Sequence, residues 1–184
     1  TGEIICDPDD AAFDAFNRRQ AELAAFQSKV DRLPQGPCAT KDGQTVHVSV
    51  NIGSSADLSG LEFRSLDGVG LYRTEFLFCG RETEPTEDEQ VEEYHRVFKA
   101  IDVGKHDLIV RTLDIGGDKI VPYLHLPKEE NPFLGCRGIR LCLKQQALLH
   151  NQFSALMKAA EGRSFSVMLP MVDTLEEFCQ AREI

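Results

Sequence analysis

Apolar positions along the chain alternate between helical and extended periods, and the changes of period mark its elements. Phe13, Phe16, Leu23, Phe26 and Val30 recur at helical spacing among charged and polar residues. With Asp7 as N-cap, Pro8 in the first helical position and Asp10 in the first turn, they predict one long helix to about residue 33. A break containing Pro34 and Pro37 follows, and 45–51 then alternates as a first strand. Ser54 or Ser55 caps a short helix through Phe63, and Asp67-Gly68 turns into a second strand over 68–76. Thr86 and Glu89 form a capping box for a helix whose face is Val91, Tyr94, Val97, Phe98 and Ile101, closed by Gly104. A third, central strand covers 108–113 up to the break at 114–117.

Beyond that break, 131–135 makes a turn into a helical stretch from 138 to about 143. The next helix, 146–160, shows an apolar stripe of Leu148, Phe153, Leu156, Met157 and Ala160 and ends at Gly162. A fourth strand over 165–171 precedes a last helix, opened by Asp173 with Glu176, whose outer face carries Glu176, Glu177 and Glu183. Four strands with four following helical segments predict an α/β fold. They amount to about half of the eight repeats of a closed (β/α)8 TIM-type barrel of roughly 250 residues. The expectation is a partial barrel behind a long linker helix, within a longer protein.

Bulk properties narrow the function classes. At 184 residues and 42% hydrophobic content the chain can bury a sizeable core. Its net charge of −10 argues against nucleic acid or an anionic membrane as partner, so any anion site must be local. No apolar run approaches the roughly 20 residues of a membrane span and no leader precedes Thr1, which predicts a cytoplasmic protein. The six cysteines include no close pair at metal spacing and read as reduced, buried small hydrophobes. His47 reads as a structural histidine in its strand, and the acids of 82–93 as a solvated first turn and flank.

Cations nevertheless gather around glycines. Arg111 ends the third strand, Gly116 and Gly117 allow close backbone approach, Lys119 follows, and the 131–135 turn delivers Arg137 and Arg140. Arg73 ends the second strand in the same way, so two strands aim arginines at one rim, the rim where barrels of this kind keep their sites. Spacing leaves a second reading open, in which Arg111 and Lys119 pair with Asp114 and Asp118.

The stretches GVGLYRTEFLF, IVRTLDIGGDK and PKEENPFLGCRGIR resemble, in that order, the phosphoenolpyruvate-binding barrel of the enzyme I family of the bacterial sugar phosphotransferase system. The similarity runs from about Thr1 to the last residue. Pyruvate phosphate dikinases and phosphoenolpyruvate synthases resemble the first stretch only. The resemblance implies that Arg73 and Arg111 hold the phosphate of phosphoenolpyruvate, with Lys119 and Arg137 supporting the negative charge. It implies that 1–36 are the end of a preceding phosphohistidine domain with its linker helix, and 37–184 the first half of the barrel. The family moves the phosphoryl group to a histidine on a swivelling domain and then to the phosphocarrier protein HPr, driving or regulating sugar uptake. By the same resemblance, that histidine would lie before Thr1. The Mg2+ ligands, a further arginine and the protonating cysteine would lie beyond Ile184. No catalytic or metal-binding residue is then expected in this segment, which alone would be inactive, and the intact protein is expected to be a homodimer. A dikinase or synthase relative, a phosphoenolpyruvate-sensing module and a scaffold whose arginines merely satisfy acids stay open as alternatives.

Overall fold

In the computed structural model the chain divides into two units, residues 1–36 and 37–184. All residues are described except 1, 3, 33–35, 62, 64–65, 102–104, 118–120 and 127–128. In the first unit, helix α1 (Asp10–Val30) starts later than the sequence predicts: Asp9 is the N-cap, its carboxylate accepting the Ala12 N–H at 2.8 Å. Asp7 instead adopts a positive φ of 50°, so Pro8 precedes the cap rather than opening the helix. No residue of α1 is buried, and Phe13, Phe16, Leu23 and Phe26 stay exposed.

The second unit opens with a short antiparallel pair, β1 (Cys38–Ala39) and β2 (Thr45–Val46). The single strand expected over 45–51 is therefore split, and its second half is β3 (Ser49–Ile52). Asp67 causes the interruption by taking the place of a strand neighbour. Its carboxylate accepts the Val48 N–H at 2.6 Å while its own N–H donates to the Val48 carbonyl at 2.8 Å. His47 lies in this gap, exposed and 3.4 Å from Asp67, and so is not within a strand. The helix expected to reach Phe63 is a 3-10 turn over Ser55–Leu58, where Asp57 accepts the N–H groups of Gly53 and Ser54.

β4 (Gly68–Arg73) ends at the arginine, three residues before the predicted limit, and Glu75–Phe78 form a helical turn, α2. A Cβ on Gly68 would stand 2.1 Å from the Asp107 carbonyl oxygen, so glycine alone permits this approach of the strands. The Thr86–Glu89 capping box starts α3 (Glu87–Ala100); Gly104, expected to close it, lies outside the described residues. After β5 (Asp107–Arg111) come a 3-10 turn at Pro122–Leu124, α4 (Ile139–Lys144), α5 (Gln146–Ala160), β6 (Ser166–Met168) and α6 (Leu175–Glu183). α6 is capped by Thr174 with Glu177, not by Asp173 with Glu176.

Strands β3, β4, β5 and β6 form one parallel sheet in chain order. This is the arrangement of consecutive βα units in a barrel wall. Ile52, Tyr72 and Val110 stand in register and face a core completed by Tyr94, Val97 and Phe98 of α3 and Ala155, Leu156 and Ala159 of α5. The Tyr72 and Tyr94 rings meet edge to face at 5.9 Å. A second core lies beneath the later loops, around Leu113, Ile115, Ile139 and Leu149.

The buried face of α5 is Leu148, Leu149, Gln152, Ala155, Leu156, Ala159 and Ala160, while Met157 is 68% exposed and Phe153 half-buried. Leu148, Leu156 and Ala160 of the predicted stripe are buried as expected, and Met157 falls outside the face because an inward position is taken by the polar Gln152. All six cysteines are unpaired, but only Cys142 is buried, and Cys6, Cys38 and Cys179 are exposed. Burial pushes the Cys142 thiol up to about 12.

Candidate functional site

Arg73 and Arg111 are the last residues of adjacent parallel strands and stand opposite each other in register. Tyr72 and Val110, one residue earlier, face the core, so the pleat turns both arginines to the other face, in one row with Met168 of β6. The two guanidinium groups thus share one rim of the sheet, at its C-terminal end.

Their surroundings differ. Arg111 donates to the Glu75 carboxylate and, at 3.2 Å, to Oδ2 of Asp114, whose Oδ1 accepts Arg137 Nε at 2.9 Å. The Arg111 and Arg137 side chains are 16% and 5% exposed, and Arg137 also stacks over the Phe133 ring at 4.5 Å. Pairing of Arg111 with Asp114, one of the two readings left open by spacing, is therefore real. Arg73 makes no ion pair among the described residues and lines an open cleft of about 620 Å³ with Asn51, Gly53, Ser54, Asp57 and Phe76. The guanidinium groups of Arg73, Arg111 and Arg137 are thus interleaved with the carboxylates of Asp57, Glu75 and Asp114 along this rim. Lys119 and Asp118 lie outside the described residues. Arg140 serves the 131–135 turn instead, donating to the Leu134 carbonyl at 3.0 Å and the Phe133 carbonyl at 3.4 Å.

Beneath the rim runs a buried polar chain that residue-by-residue reading of the sequence misses. The Gln152 side chain accepts the Leu113 N–H at 3.0 Å and donates to the Thr74 hydroxyl at 2.9 Å and the Tyr94 hydroxyl at 3.1 Å. Thr74 in turn donates to the Arg111 carbonyl at 2.7 Å, and Tyr94 to the Gln90 side chain at 3.3 Å. Burial raises the Tyr94 hydroxyl well above its usual range, so it acts as a neutral link. Glu75 and Thr74 could have been noticed as the polar residues directly after Arg73. Gln152 carries no local signal, since its partners lie 39 to 78 residues away.

The arrangement suits a small oxyanion: one arginine is held in a fixed orientation, a second is open, and the planar fork of each matches a phosphate or carboxylate. No group of three or more His, Cys, Asp or Glu able to hold a metal ion occurs among the described residues. Glu75 and Asp114, the carboxylates of the rim, are engaged by guanidinium groups. Among the described residues no helix is long and apolar enough to cross a membrane.

Comparison with known proteins identifies the family. A family model described as PEP-utilising enzyme, PEP-binding domain, matches residues 27–184. Over essentially the whole chain, the sequence is 44% identical to the phosphoenolpyruvate-protein phosphotransferases of Priestia megaterium and Listeria monocytogenes and 43% identical to that of Bacillus subtilis. The chain spans 32% of the length of each of these relatives. With both the three motifs and the parallel sheet in place, the chain belongs to the PEP-utilising enzymes and carries a stretch of their PEP-binding domain.

Proposed function

We propose that this chain supplies part of the phosphoenolpyruvate site of a phosphoenolpyruvate-protein phosphotransferase. The observation that carries the reading is the in-register pair of Arg73 and Arg111 at the C-terminal rim, one open to a cleft and one fixed by carboxylates. Relatives bearing that enzyme name match the chain over its full length. Phosphoenolpyruvate presents a phosphate and a carboxylate on a small enol, and a planar guanidinium fork suits either anion. Phosphoryl transfer asks little covalent chemistry of the protein, so positioning and charge neutralisation are its main contribution. Arg73 binds the phosphate from the cleft side and Arg111 from its fixed position, while Arg137 and Lys119 add positive field. Asp114 and Glu75 hold the Arg111 guanidinium in place, so little side-chain freedom is lost when the anion arrives.

The acceptor histidine, and HPr as the following acceptor, belong to other parts of the intact protein and its system. Mg2+ would neutralise charge on the transferring phosphoryl group, with ligands on later repeats. The described residues do not fit it, having no group of three or more His, Cys, Asp or Glu able to hold it. The same reading makes the intact protein a cytoplasmic homodimer. In the intact protein, Arg111→Ala is expected to abolish phosphoenolpyruvate-dependent phosphorylation, with Arg111→Lys recovering less than about a tenth of the rate, because lysine lacks the planar fork. Near-normal phosphorylation of Arg111→Lys would reduce Arg111 to a diffuse charge and overturn the proposal.

A further inference from the structure

Resting on the phosphoenolpyruvate reading, we propose that Gln152 is a positioning residue that sets both rim arginines from the helical layer behind the sheet. Gln152 is fully buried on α5, among alanines and leucines of the core. An amide there is costly unless each of its groups is satisfied, and here its oxygen and both of its hydrogens have partners. The bond directions are forced. The Leu113 N–H can only donate, so the amide oxygen must face it, and the NH2 group is left for two hydroxyls. Each hydroxyl then passes its own hydrogen on, Thr74 to the Arg111 carbonyl and Tyr94 to Gln90.

The attachment points matter more than the bonds themselves. Thr74 stands between Arg73 and Glu75, the carboxylate partner of Arg111, so fixing Thr74 fixes the backbone of both. The Arg111 carbonyl and the Leu113 N–H flank Thr112 on the approach to Asp114, which holds Arg111 and Arg137. A single side chain therefore ties the end of β4 to the end of β5 at the residues on either side of the guanidinium groups. The pairing of β4 with β5 ends at Arg73 and Arg111, and the Gln152–Thr74 link continues the constraint between them past that limit. A rim displaced by a fraction of an ångström loses anion contacts without unfolding the sheet.

Steady-state kinetics and thermal unfolding of the intact protein test this. Gln152→Met keeps the length and removes the hydrogen bonds, and it is expected to raise the phosphoenolpyruvate KM about tenfold. Leu156→Val, one turn along the same helix face and outside the polar chain, is expected to lower the Tm with KM unchanged. Equal KM values in these two variants overturn the inference. Thr74→Val removes the link to the Arg111 carbonyl and should follow Gln152→Met, whereas Thr74→Ser keeps the hydroxyl and should retain the normal KM. If Gln152→Met does not fold, the two Thr74 variants decide: a raised KM in Thr74→Val alone supports positioning, and equal values overturn it. Arg73→Ala separates the two levels. A normal KM there removes the site reading and this inference with it, and a raised KM beside normal Gln152 and Thr74 variants removes this inference only.

Discussion

Replacing Asp114 by alanine takes away the carboxylate that joins Arg111 to Arg137. The Arg137 side chain is 5% exposed and that of Arg111 16%, so solvent cannot substitute for the lost charge. Removing one partner from a buried pair costs about 3–5 kcal/mol, because the remaining charge stays desolvated. For a domain of this size that corresponds to a fall in Tm of roughly 10 °C. Asp114→Asn keeps an oxygen for Arg137 Nε and gives up only the charge, so about half of the loss is expected. Thermal unfolding of the chain by circular dichroism, with and without inorganic phosphate, provides the assay. Phosphate should stabilise Asp114→Ala more than the wild type, since the vacated place holds two guanidinium groups without their shared anion. A loss below about 1 kcal/mol, the range of exposed ion pairs, would refute the picture of a buried charge cluster. Equal phosphate responses would refute its identification as an anion site.

Two further outcomes follow from particular residues. Burial holds the Cys142 thiol of the folded chain up to about 12, above the ordinary thiol range, so at the pH values in between the unfolded chain binds fewer protons and stability falls as pH rises, by on the order of 4 kcal/mol. Urea titrations at pH 8 and pH 11, set against Cys142→Ala, would show it, and an unchanged pH dependence in the variant would refute it. Incubating the 184-residue chain alone with labelled phosphoenolpyruvate and Mg2+ should leave no stable label, because the acceptor histidine is proposed to lie elsewhere; stable label on any of its five histidines would refute that placement.

Much of this was legible because the signals were local. The Thr86 capping box spans four residues, and the arginines stood out because each closes a short apolar run. Thr174 with Glu177 has the same spacing as Thr86 with Glu89 and was equally available, but the neighbouring Asp173 drew the cap one residue early. The split of 45–51 was hidden, since the carboxylate that interrupts it belongs to Asp67, 19 residues from Val48. Met157 was placed on the core side for its apolarity, while the position facing inward is the amide of Gln152. In α5, hydrophobic period misplaces one edge of the face because a polar residue occupies an inward position.

Strand order that equals chain order also shapes the path of folding. Each strand pairs with the one before it, so every new unit meets a neighbour already made as the chain leaves the ribosome. The Thr74–Gln152 bond is different, joining residues 78 apart. β3, β4 and β5 can align before α5 has been synthesised, but the amide that sets the rim cannot yet be present. The arginines are thus held in a finished geometry only after the wall around them has formed, which leaves the nascent sheet ordered and the proposed anion site unset.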